Sequence, residues 1–307
     1  MRTLLLWLAR STWLRDRIPR LPFARRAVRR FMPGEAMEAA LDAAAGFRAQ
    51  RIGVIFTRLG ENVTRDEEAD ATADHYLTLL DAASGREMRA ELSVKLTQLG
   101  LDLDEDRTFA RLTRLAESAR RDGGVLWIDM EGSAYTERTV ALYERLVRAG
   151  QTNVGLCLQA YLRRTAGDVQ RLLPLRPAIR LVKGAYDEPP SIAYRTRRSV
   201  DANYAALATT LLGARAAGQQ LRIALATHDV DLVEQLAGQA AALGLMRDAF
   251  EVQMLYGIRP DQQRRLARDG FVVRVLIAYG PAWYAWYLRR LAERPANVVL
   301  ALRQMVP

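Results

Sequence analysis

Two lysines are the residues whose type and spacing point most clearly to chemistry. Lys and Arg together number 45, yet only Lys95 and Lys183 are lysines. Each lies near the C-terminal end of an apolar, strand-like run. An ammonium is a compact point charge and a guanidinium a bulky planar fork, so the two cations are not interchangeable. The pattern indicates two positions that need an ammonium. The alternative is a drift in composition that spared two surface lysines.

Other polar residues occupy similar positions at the ends of apolar runs. Lys95 and Asp129 lie within or at the tips of such runs, where an unpaired charge is costly to remove from water. A Lys95–Asp129 pair or a bound anion would remove that cost. The complete set is Glu61, Lys95, Asp129, Glu131, Gln159, Arg180, Lys183, His228, Asp229 and Gln253.

Short apolar or β-branched runs alternate with longer segments of helical period, the pattern of βα units around a parallel sheet. Function in such barrels gathers at the C-terminal ends of the strands, so the polar residues above would converge on one mouth. The polar rim common to barrels explains part of the set equally well. Eight runs favour a closed α/β (β/α)8 TIM-like barrel, and they begin at Arg51, Glu91, Gly124, Val154, Ala178, Leu221, Ala249 and Phe271.

The N-terminal segment predicts a basic helical arm over residues 1–50, followed by a barrel over residues 51–307. Its longest apolar run, Leu4–Ala9, is too short to span a bilayer. No small-residue cleavage site follows, so a secretory signal is not expected. Trp7 and Trp13 among many arginines suit either an anionic lipid surface or packing on the rest of the protein. Packing is the favoured interpretation.

Composition limits the class of protein. Half of the residues are hydrophobic and the formal net charge is +10, which fits a soluble globular protein with one large core. A basic surface attracts polyanions such as nucleic acid or anionic membranes. Most of the charge is interpreted as solvated helix faces, and no nucleic-acid partner is expected. Cys157, the single cysteine, predicts a buried structural thiol in a reducing compartment.

Neither a metal site nor a Rossmann fold is expected. His75 and His228 are the only histidines and lie far apart in the sequence. There is no HExxH motif and no cluster of carboxylates of the kind that binds zinc. A GxGxxG phosphate loop is absent as well.

The last helical segment contains adjacent Arg289 and Arg290, whose guanidinium groups could bind a carboxylate. Alone, an arginine pair in an arginine-rich chain is a weak signal. Together with six earlier motifs it makes the chain similar to the proline dehydrogenase family over roughly Leu59 to Val298. In chain order the motifs are SVKLTQLG, WIDMEG, LQAYLRRT, RLVKGAY, ATHD, FEVQMLYG and YLRRLAERPANV.

This resemblance, closest to monofunctional bacterial members, implies a distorted barrel that binds FAD at the C-terminal ends of its strands. It implies oxidation of L-proline to 1-pyrroline-5-carboxylate, the first step of proline catabolism to glutamate, with hydride passing from substrate C5 to flavin N5. Electrons would pass to a membrane quinone. The expected location is cytoplasmic, with peripheral contact at the inner face of the cytoplasmic membrane left open.

The resemblance also implies roles for individual residues. Asp129 and Arg180 would form the catalytic polar pair, and Glu61 would pair with Arg289 as a gate. Lys95, Arg289 and Arg290 would bind the substrate carboxylate, and Tyr186 and Leu255 would line the substrate pocket. Contacts to FAD would come from Met130, Gln159, Arg180, Lys183, Gly184, Ala185, Thr227 and His228.

Two positions depart from the family pattern. Leu276 and Trp286 stand where members usually carry tyrosines that pack against the substrate ring. The same chemistry on hydroxyproline or another cyclic amino acid therefore stays open. A folate-reductase-like FAD barrel is an alternative that RLVKGAY and RRLAE disfavour. A basic barrel that binds nucleic acid or membrane without catalysis is more distant still.

Overall fold

The structure, a computed structural model, describes residues 17, 28–284 and 286–288. Arg289 and Arg290, and most of the predicted basic arm, lie outside the described residues. The expectations that rest on them therefore stay predictions.

Eight parallel strands close into a barrel in sequence order, with β1 also paired to β8. This confirms the (β/α)8 fold, and each predicted run supplies one strand. The strands are β1 (Gly53–Arg58), β2 (Ala90–Val94), β3 (Leu126–Ile128), β4 (Val154–Gln159), β5 (Ala178–Val182), β6 (Arg222–Ala226), β7 (Glu251–Leu255) and β8 (Val272–Tyr279).

Helices connect the strands and cover the outside of the barrel. Short 3-10 turns at Thr97–Leu99, Leu173–Leu175 and Arg247–Ala249 complete the connections. Helix α3 begins where the side chain of Asp104 accepts a hydrogen bond from the Arg107 backbone N–H, a typical N-cap. The helices are α1 (Met37–Arg48), α2 (Asp66–Ser84), α3 (Glu105–Arg121), α4 (Ser133–Arg148), α5 (Thr165–Leu172), α6 (Arg197–Ala216), α7 (Val230–Ala242) and α8 (Pro260–Arg268).

Alternation along each strand divides its side chains between two environments. In β2, Leu92 and Val94 belong to the large apolar core between sheet and helices. Glu91 and Ser93 point the other way and bond to groups inside the barrel. The interior thus receives polar side chains from strands whose outward residues are apolar.

The part of the N-terminal segment that the structure describes packs on the barrel. Val28, Phe31 and Met32 are buried in one cluster with residues that follow β8. Gly257, after β7, has a positive φ of 73° and lies directly against the backbone of Arg30, so a side chain there would collide with the chain. Helix α1 also contributes to the main core. Among the described residues no helix is long and apolar enough to cross a membrane.

The single cysteine lies where the sequence predicts. Cys157 is 5% exposed within β4. Burial raises the pKa of its thiol to about 12. The thiol is therefore protonated at neutral pH. The structure confirms the predicted burial, and the expected reducing compartment stays a prediction.

Candidate active site

Three side chains from three strands meet at the C-terminal end of the barrel interior. Arg180 comes from β5, Ser93 from β2, and Asp129 directly follows β3. Arg180 Nη1 lies 2.9 Å from Asp129 Oδ1 and 2.6 Å from Ser93 Oγ. Ser93 Oγ in turn donates to Asp129 Oδ1 at 2.6 Å. The cluster is a charge-assisted pair with a hydroxyl bridging its two members.

The remaining contacts of Arg180 fix its plane. Its Nε donates to Gln253 Oε1 at 2.6 Å, and its Cζ lies 4.6 Å from the centre of the Trp127 ring. The side chain is only 4% exposed. Among the described residues, Nη2 is buried without a hydrogen-bond partner. A buried donor without a partner is costly, so Nη2 is available to a bound molecule.

Lys95 does not pair with Asp129, which corrects one of the two expectations for these charges. Asp129 pairs with Arg180 instead, because Arg180 reaches it across the barrel interior from β5. Lys95 Nζ lies 3.4 Å from the Gly60 carbonyl oxygen, at the loop that follows β1. A bound anion stays the open alternative for the ammonium.

Glu131 connects the Lys95 region to the loop that carries Glu61. Its carboxylate accepts from the backbone N–H of Thr97 at 3.0 Å and from the Thr97 hydroxyl at 2.6 Å. Thr97 then accepts bonds from the backbone of Asn62 and Val63. Burial raises the pKa of Glu131; the bonds from Thr97 and the charge of Lys95 oppose this, and the charge of Glu61 adds to it. Lys95 and Glu61 therefore both lie close enough to Glu131 to influence its pKa, and the role of Glu61 as a gate stays a prediction.

The residues expected to bind a cofactor line one side of this mouth. Gln159 ends β4 and donates from Nε2 to the Met130 carbonyl oxygen at 3.2 Å, while its buried Oε1 has no partner among the described residues. Gly184 has a φ of 109°, and a Cβ at this position would collide with the ring of Tyr161. Only glycine fits this backbone without strain. An unpaired buried acceptor beside a glycine backbone suits a planar, hydrogen-bonding ring system.

Lys183 forms ion pairs with two carboxylates. Its Nζ lies 2.5 Å from Asp201 Oδ1 and 3.2 Å from Asp229 Oδ2. Burial alone would raise the pKa of Asp229, but the Lys183 ammonium outweighs that effect and keeps the pKa below its usual range. The side chain of Asp229 also accepts from the first turn of α7. Lys183 is thus positioned by the start of α6 and the start of α7.

Thr227 and His228 connect β6 to α7 beside this group. The Thr227 hydroxyl accepts from the Asp229 backbone N–H at 3.1 Å. The His228 carbonyl oxygen accepts from Arg259 at 3.0 Å. These bonds hold the loop between strand and helix, and the predicted contacts of both residues with FAD stay predictions.

Tyr186 lies in the loop after β5, which is fastened to α4. Tyr186 packs on a cluster that includes Tyr161 and Leu162. Two residues later, Glu188 accepts from the backbone N–H of Ser133 at 2.7 Å and from its hydroxyl at 2.5 Å. Glu188 therefore caps α4 from a neighbouring loop. Leu255, the other predicted wall residue, is half-buried at the end of β7.

Several of these residues carry no role in the sequence-based prediction. Ser93 and Trp127 lie inside strands rather than at their ends, and Glu188 follows the RLVKGAY motif. The period-two alternation of β2 gives the one available signal, since Glu91, Ser93 and Lys95 share a face. No group of His, Cys, Asp and Glu side chains within the described residues is arranged to hold a metal ion.

Residues 40–300 match the family model described as proline dehydrogenase. The chain belongs to the proline dehydrogenase family. It is 37% identical over 281 residues to the proline dehydrogenase of Deinococcus radiodurans, covering 90% of this chain and 89% of that protein. It is 33% identical over 279 residues to proline dehydrogenase 1 of Bacillus subtilis strain 168, covering 91% and 90% respectively.

Solved structures with the same fold include longer proteins. Proline utilization A from Bdellovibrio bacteriovorus, inactivated by N-propargylglycine, superposes with a TM-score of 0.78 at 24% identity, covering 87% of this chain and 32% of that one. A mutant of the Bradyrhizobium japonicum protein superposes with a TM-score of 0.75 at 22% identity, covering 92% and 32%. This chain therefore spans about a third of the length of those proteins, and the likeness shows the barrel fold.

Proposed function

We propose that this protein is an FAD-dependent proline dehydrogenase that oxidises L-proline to 1-pyrroline-5-carboxylate. FAD would supply the acceptor for the hydride that leaves substrate C5, and a membrane quinone would be the final acceptor. The observation that carries the proposal is the Arg180–Asp129–Ser93 cluster at the strand ends. Two buried polar atoms beside it, Arg180 Nη2 and Gln159 Oε1, lack partners among the described residues. Family membership supports the same function.

The chain's own residues would chiefly position the reactants. Lys95, at the mouth and without a carboxylate ion pair among the described residues, is suited to a substrate carboxylate. Arg289 and Arg290 would add two further cations. Cations around the carboxylate favour substrate whose amine is unprotonated, since an ammonium gains nothing near positive charge. Asp129 and Arg180 would form the opposite side of the site around the reacting atoms, and Tyr186 and Leu255 would form the walls of the pocket.

Gln159, Gly184 and the residues around them would hold the flavin. Gly184, whose missing Cβ makes room for the Tyr161 ring, and Ala185 would contribute the loop backbone that contacts the flavin. Arg180 and Lys183 would place positive charge where negative charge grows on the reduced ring. Met130, Thr227 and His228 would complete the contacts. We further propose a cytoplasmic protein that meets its quinone acceptor at the inner face of the membrane.

The visible spectrum of the purified protein tests this function. We expect a yellow protein whose flavin absorbance bleaches on anaerobic addition of L-proline. Bleaching only with trans-4-hydroxy-L-proline would move the proposal to hydroxyproline. A colourless protein that binds no added FAD would contradict the function.

Leu276 is expected to influence the choice between proline and hydroxyproline. It lies in the barrel interior against Ile55 and Trp127, at a position where the family usually has tyrosine. We expect Leu276→Tyr to raise the ratio of kcat/KM for proline over hydroxyproline by about tenfold, because the larger ring leaves less room in the pocket for the hydroxyl of hydroxyproline. Steady-state kinetics with both substrates measure the ratio. Leu276→Phe is the control for ring size, and an unchanged ratio in Leu276→Tyr would remove the basis of the expectation.

A further inference from the structure

Below Arg180, a continuous group of polar side chains fills the barrel interior toward its N-terminal end. Gln253 Nε2 donates to Glu251 Oε1. Arg274 Nε donates to Glu251 Oε2 at 2.9 Å, and Arg222 Nη2 does so at 2.8 Å. Arg222 also pairs with Glu91 at 2.9 Å. We call the residues Glu91, Arg222, Glu251 and Arg274 the interior charge cluster.

We propose that Gln253 is a positioning residue for Arg180, anchored by the interior charge cluster. The inference rests on the proposed function for the role of Arg180. Asp129 and Ser93 hold only Nη1, and stacking on Trp127 restrains the tilt of the guanidinium plane but not rotation of the group within that plane about Nη1. The bond from Nε to Gln253, a residue of β7 on another part of the barrel wall, removes this freedom. The position of Nη2 is then defined.

The orientation of the Gln253 amide follows from its two neighbours. A carboxylate is an acceptor alone, and Arg180 Nε is a donor alone. The amide nitrogen must therefore face Glu251 and the amide oxygen must face Arg180. If the amide were turned by 180°, its nitrogen would face the Arg180 Nε–H donor and its oxygen would face the Glu251 carboxylate, so both hydrogen bonds would be lost. Because Glu251 is held by two guanidinium groups, Gln253 is an acceptor of fixed direction at 4% exposure.

The kinetic test is Gln253→Met, which keeps the length of the side chain and removes both the acceptor for Arg180 and the donor to Glu251. We expect kcat for proline to fall by about tenfold, the effect of one lost hydrogen bond to a charged group. KM for proline is expected to stay within about threefold, because Gln253 makes no contact with Lys95. The flavin reduction potential is expected to fall as Arg180 loses its fixed place.

A double variant separates positioning from a general structural role. In the Arg180→Lys background the Nε–H is absent, so adding Gln253→Met is expected to change kcat by less than about twofold. Gln151→Met, at a buried glutamine in the connection before β4, is the matched control and should leave kcat unchanged. Equal effects of Gln253→Met in both backgrounds would overturn the inference, as would an unchanged kcat per bound flavin.

A spectroscopic measurement tests the bond independently of turnover. The Nε–Hε resonance of Arg180, assigned by its loss in Arg180→Lys, is expected to shift and to exchange faster with water in Gln253→Met. An unaltered resonance would overturn the inference. Two results together would separate the proposals. If proline fails to bleach the flavin of the wild-type protein but Gln253→Met still shifts the Arg180 resonance, the proposed function is wrong and the positioning of Arg180 by Gln253 stands.

Discussion

Replacing Arg180 by methionine is expected to lower kcat/KM for proline by at least about a hundredfold, the range seen when one preorganised charge-stabilising donor is removed. The variant loses the guanidinium that holds Asp129 and leaves Gln253 Oε1 without its donor. It also empties the place from which Nη2 would contact a bound flavin. Steady-state kinetics per bound flavin measure the loss.

Arg180→Lys is expected to recover little of this activity. A lysine keeps the charge but cannot bond to Gln253, Asp129 and Ser93 at once, because its single ammonium lacks the planar fork. Arg145→Met, at an exposed arginine paired with Asp106, is the control and should retain wild-type kinetics. Activity of Arg180→Met within about threefold of wild type would refute the role assigned to Arg180.

Replacing Glu251 by leucine is expected to lower the free energy of unfolding by about 3–5 kcal/mol, the cost of removing one partner from a buried ion pair. The side chain of Glu251 is 6% exposed and forms ion pairs with both Arg222 and Arg274. Without it, both guanidinium groups depend on Glu91 alone. Urea unfolding at neutral pH, followed by far-ultraviolet circular dichroism, measures the change. Glu87→Gln is the control. Glu87 forms a surface ion pair with Arg48 and its side chain is 82% exposed, so this substitution should lower the free energy of unfolding by less than about 1 kcal/mol.

The stability that Glu251 contributes is expected to depend on pH with a defined sign. Burial alone would raise the pKa of Glu251, but Arg222 and Arg274 outweigh it and hold the pKa below its ordinary value of 4.5. A carboxyl group whose pKa is lower in the folded state stabilises above the unfolded-state value and loses that effect as pH falls through the folded-state value. The difference between wild type and Glu251→Leu should therefore shrink below pH 4.5. A difference that grows on acidification would contradict this charge assignment.

Strand number and closure were predictable from the chain, because apolar runs of parallel strands are local signals. The meeting of Arg180 with Asp129 was expected from family resemblance, and the structure places them in contact. Residues 289 and 290 lie outside the described residues, so their contribution to the site stays a prediction.

The partner of Asp129 and the interior charge cluster could not be read from local pattern. Glu91 and Arg222 are separated by 131 positions, and either could have been a solvated surface charge. Which cation reaches Asp129 depends on barrel radius and register, since Arg180 and Lys95 both come from strands that face the same interior. Ser93 gave a faint signal, as a hydroxyl on the same strand face as two charged residues. The cap that Glu188 forms on α4 depends on the path of a loop, which composition does not specify.

The interior charge cluster also bears on the order in which the barrel can assemble. Glu91 belongs to β2, and its ionic partners arrive with β6 and β8. Until the later strands have docked, this carboxylate can be buried only at the cost of an unpaired charge. A nascent half barrel would therefore keep its centre open to water, and closure would bring desolvation and ion pairing together in one late event. Contacts of such long sequence separation slow folding, and we expect that the N-terminal strands do not fold as an independent unit.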